Sequence, residues 1–335
     1  MKTIKVFKRI SFVTLMIVFG ACTLLGENDS EETPLEDPPP VGGKLVFSME
    51  DSATEQRQIF TMNIDGSELI RLTDNRRASG YPAWSPDGNR IAYSTDLIEC
   101  SGDPCVYLMN EEGSGKGPMG MSSPYPDDEI TGAHSSWGPD GNMIAFNRCL
   151  GFPGCGFVSV YDLESDSLKY ISGGWYPSWS PDGAYLVYSS GRAYQDEEED
   201  HWREDLYLAN ASGKGESFRL TTLGEDYEWF EWIRENEVLF LRHNHQTDLK
   251  DVILINIDTG KRETIARDIK VGYLKEVLWY PEGESLFIVS YDLETGELVF
   301  DLYNLNWRHI QNFRLTELDA TVDDIDWHYE VEANS

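Results

Sequence analysis

One tryptophan-bearing phrase keeps returning along this chain. YPAWSPDGNRIAYS at 81–94 recurs as SSWGPDGNMIAFN at 135–147 and YPSWSPDGAYLVYSS at 176–190. Weaker copies follow as FEWIRENEVLFL (230–241), VLWYPEGESLFIVS (277–290) and DIDWHYE (324–330). The six anchoring tryptophans, Trp84, Trp137, Trp179, Trp232, Trp279 and Trp327, lie 53, 42, 53, 47 and 48 residues apart. A repeat of this period means a solenoid or a propeller. Each copy reads as a Trp strand, a Pro-Asp-Gly turn, an alternating apolar strand, a variable loop, a further strand, and a short polar hairpin into a fourth. Four short strands per repeat is the content of a propeller blade. The ends of the pattern are complementary: Lys44 to Met49 is a second-type strand with no Trp strand before it, and Ile325 to Tyr329 is a Trp strand with nothing after it. Paired, they complete one blade and remove the open edges. The expectation is an all-β, six-bladed β-propeller of four-stranded antiparallel blades, closed by its N-terminal and C-terminal strands and spanning 44–330, with 331–335 as a tail.

The segment before the repeats has a different character. Lys2, Lys5, Lys8 and Arg9 precede an apolar run from Ile10 to Phe19, then small residues and Cys22, which is the layout of a secretory signal peptide. The run is short for a hydrocarbon core that takes roughly 20 residues to cross. Phe19-Gly20-Ala21-Cys22 resembles the lipobox of bacterial lipoproteins, although Phe19 stands where Leu is usual. That resemblance implies removal of 1–21 and lipidation of Cys22. Residues 22–43, rich in Pro, Gly and acids, are expected to form a disordered tether with a reach of roughly 25 Å. The expected address is the cell envelope, with the propeller in the periplasm or at the cell surface and the lipid as its only membrane contact.

Composition limits the partners. With 27 Lys+Arg against 59 Asp+Glu the chain carries a formal charge of −32. Loss of the four basic residues of 1–21 makes this more negative still. Nucleic acid, whose phosphates require a basic surface, is excluded.

The P-x-W-S-P-D-G run, together with RLT ending a fourth strand at 71–73 and again at 219–221, resembles the WD-like repeat of TolB-type propellers. The resemblance covers roughly 44–330 and implies the fold; it does not specify an activity. Within the motif, Asp87, Asp140 and Asp182 read as turn residues: Pro presets φ, Asp bonds nearby backbone, and Gly accepts positive φ. The tryptophan supplies a flat surface between blades.

Setting Cys22 aside, Cys100, Cys105, Cys149 and Cys155 remain. An even count in an exported chain predicts disulfides. CSGDPC and CLGFPGC each close a small loop at the same place in consecutive repeats, so Cys100 is paired with Cys105 and Cys149 with Cys155. Neither spacing is C-x-x-C and no His adjoins either pair, which argues against a zinc knuckle or a thioredoxin-like site. In a meander, loops joining strands two and three share a face with those leading to the next blade. That face gathers both cysteine loops and the long loops 121–134, 191–205 and 242–251. Long, varied loops on one side of a scaffold are where binding resides. Its candidate contact residues are Asp127, Asp128, Glu129, Glu197, Glu198, Glu199, Asp200, Trp202, Glu225 and Asp226, with Trp175, Tyr194 and Trp229 nearby. Carboxylates and aromatics together suit a cationic segment of an envelope protein, or a glycan, and the propeller itself is expected to be monomeric.

An enzymatic alternative rests on histidines. His243 and His245 alternate along a strand end, and His134 and His201 come from loops on the same face, a set that would suit a divalent metal. Oligogalacturonate lyases resemble TolB-type propellers and use a His-based metal site, so the resemblance implies, as the competing reading, a metal-dependent enzyme acting on acidic oligosaccharides. Ordinary loop histidines are the simpler account, because no supporting carboxylate pattern is readable, and no cofactor is expected for a scaffold. No G-x-S-x-G elbow occurs, and GSGKG (113–117) and SGKG (212–215) lack phosphate-loop spacing.

Overall fold

The computed structural model of the chain describes residues 42–51, 55–74, 77–96, 104–120, 130–149, 155–195, 200–221, 227–244, 247, 249–269, 273–280, 285–292, 294–295, 297–304, 309–315 and 322–328. Their strands make six four-stranded antiparallel sheets. The first blade begins with β1 (Lys44–Asp51), β2 (Gln56–Asn63) and β3 (Ile70–Arg71). The second is β4 (Ser79–Trp84), β5 (Arg90–Thr95), β6 (Cys105–Asn110) and β7 (Gly117–Pro118). The third is β8 (Gly132–Trp137), β9 (Met143–Cys149), β10 (Cys155–Asp162) and β11 (Ser167–Gly173). The fourth is β12 (Trp175–Trp179), β13 (Tyr185–Gln195), β14 (Asp200–Asn210) and β15 (Phe218–Arg219). The fifth is β16 (Tyr227–Arg234), β17 (Glu237–Asn244), β18 (Leu249–Asn256) and β19 (Arg262–Ile269). The sixth is β20 (Tyr273–Tyr280), β21 (Ser285–Tyr291), β22 (Leu298–Asn304) and β23 (His309–Leu315). The last strand, β24 (Val322–His328), pairs with β1 and completes the first blade in the order β24-β1-β2-β3. The closure expected from the two ends of the repeat pattern is therefore the observed one.

Burial on both faces explains why the second strands read as nearly unbroken apolar runs. In β1, Leu45, Phe47 and Met49 face the sixth blade, where Phe287, Leu298 and Phe300 meet them, while Val46 faces the second blade and joins Ile91 and Tyr93. Six such clusters fill the gaps between adjacent blades, so the core is a ring of sandwiches rather than one central mass. A buried Phe or Leu there contributes roughly 1.5–3 kcal/mol.

Three of the repeated tryptophans bond blade to blade through their indoles. The indole Nε1 of Trp137 donates to the Ala83 carbonyl at 3.1 Å, Trp179 to Ser136 at 3.1 Å, and Trp232 to Ser178 at 3.2 Å. Each acceptor sits one residue before the preceding blade's own tryptophan. The turns that follow are organised by their aspartates: Asp87 accepts from Ser85 Oγ at 2.6 Å and Asp182 from Ser180 Oγ at 2.7 Å. Gly88, Gly141 and Gly183 take φ of 68°, 69° and 71°, a region that disfavours a Cβ. These aspartates are thus occupied in holding their turns, and bonds from Ser85 and Asn89 hold the Asp87 carboxyl down at about 2.

The outer strands are of two kinds: β3, β7 and β15 contribute only two residues each, whereas β11, β19 and β23 run for seven or eight. Leu69 and Ile70, beside the short β3, remain 47% and 52% exposed. The RLT signature works just beyond them. Thr73 Oγ1 donates to Gln58 at 2.8 Å and accepts the Ile59 amide at 2.9 Å, and Thr221 does the same with Asp205 and Leu206 at 3.0 and 2.9 Å.

Candidate functional site

The innermost strands β4, β8, β12, β16, β20 and β24 surround an axial cavity of about 820 Å³. Its lining comes from the residues just before each repeated tryptophan. Three positions upstream stand Tyr81, His134, Tyr176, Trp229 and Asp324, and one position upstream stand Ala83, Ser136, Ser178, Glu231, Leu278 and Asp326. Across the blades these positions change chemical type, from phenol and imidazole to indole and carboxylate at the third upstream position, and from methyl, hydroxyl and isobutyl to carboxylate at the first. Tyr81, His134, Tyr176 and Asp324 have φ of 53°, 54°, 54° and 43°, and a register shift accompanies each of them. A bulge re-aims the side chain it carries, here toward the axis, and non-glycine residues at positive φ persist where the surroundings impose them.

The cavity opens on the long-loop face. Tyr176 is 48% exposed, while two residues further along the inner strands Ala83, Ser178 and Leu278 are buried. The inner strands begin on the side reached by the loops between blades and by the hairpin of β13 and β14, so the mouth shares their face. His134 sits between two phenol rings, its centroid 3.9 Å from Tyr81 and 4.5 Å from Tyr176. Burial holds its imidazole down at about 4, so near neutrality it is uncharged.

Deeper in the cavity the chemistry is acidic. Glu231 Oε1 accepts from Ser178 Oγ at 2.7 Å and from the Trp232 amide at 3.0 Å. Asp326 accepts the Trp84 amide at 2.6 Å and the Trp327 amide at 2.8 Å. Burial pushes the Glu231 carboxyl up to about 7 against those hydrogen bonds, with the Asp326 charge adding to the rise. Burial likewise raises Asp326 to about 6. Asp324, also raised by burial, accepts from Ser48 Oγ at 2.9 Å and lies 3.6 Å from the Arg57 guanidinium. Among the described residues no lysine or arginine lines the cavity.

The family model of the TolB beta propeller domain matches residues 38–222, more than half of the chain. The chain belongs to the TolB beta propeller family. The crystal structure of TolB from Acinetobacter baumannii superimposes with a TM-score of 0.62 at 18% identity, over 85% of this chain and 66% of that one. Among curated proteins, Dipeptidyl-peptidase 5 of Porphyromonas gingivalis is 24% identical over 296 residues, 80% of this chain; the chain spans only 37% of that relative's length. An oligogalacturonate lyase in complex with manganese superimposes with a TM-score of 0.52 at 15% identity, over 82% of this chain and 74% of that one, which is a likeness of fold.

Within this TolB-type propeller the residues singled out from sequence are distributed as follows. Asp127, Asp128, Glu129, Glu197, Glu198, Glu199, Glu225, Asp226, Cys22, Cys100 and His245 lie outside the described residues. Asp200, His201 and Trp202 belong to β14, where their backbones are in register with Gln195, Tyr194 and Ala193. Cys149 and Cys155 are direct cross-strand neighbours at the loop end of β9 and β10. Cys105 opens β6, is buried, and is disulfide-bonded. His134 lines the axial cavity, whereas His243 Nδ1 lies 3.1 Å from Lys250 Nζ on the neighbouring strand. Among the described residues no group of three or more His, Cys, Asp or Glu side chains converges to hold a metal ion. Sequence reasoning passed over Tyr81, Glu231, Asp324 and Asp326. The signal available for them was positional: all four stand one or three residues before a repeated tryptophan.

Proposed function

We propose that this chain is a non-enzymatic binding scaffold of the bacterial cell envelope, which holds a protein partner against its long-loop face at the mouth of the axial cavity. The observation that carries this reading is the chemical variety of the inner-strand side chains, from phenol and imidazole to indole and carboxylate, around a cavity that opens on that face. A structural ring would be expected to repeat; a recognition surface need not. Membership of the TolB family supports protein binding and an envelope address. The Lys-rich start, the apolar run and Cys22 support lipid anchoring, with 23–43 as the spacer. The register of Cys149 with Cys155, and the bonded state of Cys105, support paired cysteines stiffening two loops of that face.

The test is crosslinking capture from envelope fractions with full-length protein. Variants neutralised on the loop face (Glu197→Gln, Glu198→Gln, Glu199→Gln) are compared with a variant neutralised on the opposite turns (Asp65→Asn, Glu112→Gln). Loss of capture in the first alone supports the reading, and equal capture by both refutes it. Replacing Cys22 with Ser should release the protein from the membrane fraction.

A further inference from the structure

We propose that the axial cavity is a receptor site for an organic cation, an ammonium or guanidinium group, which Glu231 and Asp326 neutralise while Tyr81 and Trp229 flank it. The inference deepens the scaffold reading by naming what the partner inserts. Its first support is a charge imbalance in a partly buried place. Glu231 on β16 and Asp326 on β24 stand on the inner strands either side of β20, both deep in the cavity wall, and among the described residues neither forms an ion pair with a basic side chain. Their hydrogen bonds come from one hydroxyl and from backbone amides. Carboxylates taken out of water without a counter-charge are costly, and a cation offsets that cost directly.

The second support is the remaining capacity of these groups. Both hydrogen bonds to Glu231 fall on Oε1, and Oε2 has none among the described residues. An N–H donor entering along the axis finds that oxygen free. The third is the wall. Tyr81, Tyr176 and Trp229 present ring surface to the cavity, and a cation within about 6 Å of such a ring is attracted to its face. His134 carries no charge of its own to repel it. A volume of about 820 Å³ holds a long side chain together with its flanking backbone, in the range typical of ligand sites. A bare metal ion fits less well, since the carboxylates do not converge into a ligand set among the described residues. A neutral sugar would use the rings but leave both charges uncompensated.

The experiment titrates the full-length protein with acetyl-Gly-Arg-Gly-amide, with the same peptide carrying citrulline, with spermidine and with calcium chloride, following tryptophan fluorescence. Binding of the arginine peptide but not its neutral twin, weakened about tenfold or more by Glu231→Gln or by Asp326→Asn, is the expected result. Spermidine binding as tightly as the peptide would support the site with a free amine as the source of the cation; preference for the peptide assigns it to a protein segment. Equal binding of the arginine and citrulline peptides, binding of calcium alone, or no response to any of the four overturns the proposal. The peptide comparison uses the wild-type chain, so it stands even where a variant fails to fold. Partner capture that survives in a folded Glu231→Gln, Asp326→Asn double variant would leave the scaffold reading in place and remove this one. Peptide binding without any loop-face partner would do the reverse.

Discussion

Replacing Glu231 with Gln should stabilise the ligand-free protein at alkaline pH and leave it nearly unchanged at acid pH. The carboxyl is raised from 4.5 to about 7, with burial as the first cause. Between those values the folded chain keeps a proton that the unfolded chain releases, so stability falls as pH rises through that window and levels off above it. At about 1.4 kcal/mol per pH unit, the interval amounts to a loss on the order of 3 kcal/mol. Glutamine has the same shape, keeps an oxygen for Ser178 Oγ and Trp232 N, and carries no charge to desolvate. It gives up the extra strength of a bond to an ionised acceptor, about 1 kcal/mol. The net expectation is a variant more stable by roughly 2 kcal/mol at pH 8 and by close to nothing at pH 4.5. Urea unfolding of both proteins at pH 4.5, 6 and 8 measures it, and the difference between them cancels the titration of the many surface acids. A stability difference that is constant across pH, or a wild type that is the more stable at pH 8, would show that its surroundings do not raise the Glu231 carboxyl.

Other consequences of the geometry can be checked alongside. Arginine-peptide binding should strengthen from pH 5.5 to pH 8 as Asp326 and Glu231, at about 6 and about 7, lose their protons; a flat profile in fluorescence titrations would contradict the assignment of these two groups. Trp232→Phe removes the indole donor to the Ser178 carbonyl and part of a ring packed against Phe240 and Ile253; thermal unfolding should register a loss of about 2–4 kcal/mol. Gly132→Ala would bring a methyl to 2.5 Å from the Asn147 carbonyl oxygen and the Phe146 ring, a collision with backbone that should cost about 1–3 kcal/mol in the same assay. Truncation before Val322 removes β24, exposes the edge of β1 and opens the ring. Size-exclusion chromatography should then show association or aggregation instead of the native species.

The architecture was legible because it is written many times over. Periodic tryptophans, Pro-Asp-Gly turns and alternating apolar residues all report local rules, and each blade obeys them independently. Even the closure could be read, since a missing first strand at one end and a surplus one at the other leave a single way to complete the blade.

The site was less legible. Of the cavity lining, His134 and Trp229 stand out in the sequence as candidates, whereas Tyr81, Glu231, Asp324 and Asp326 occupy interior strand positions that look there like core. The chain by itself determined the blades, their number and their order, since these follow from short-range pattern and strand pairing between neighbours. Only the closed ring decided which side chains meet. Ser178 and Glu231 are 53 residues apart and Trp84 and Asp326 are 242 apart. Their contacts, and the partial burial that raises two carboxyls toward neutral pH, arise because six inner strands share one axis.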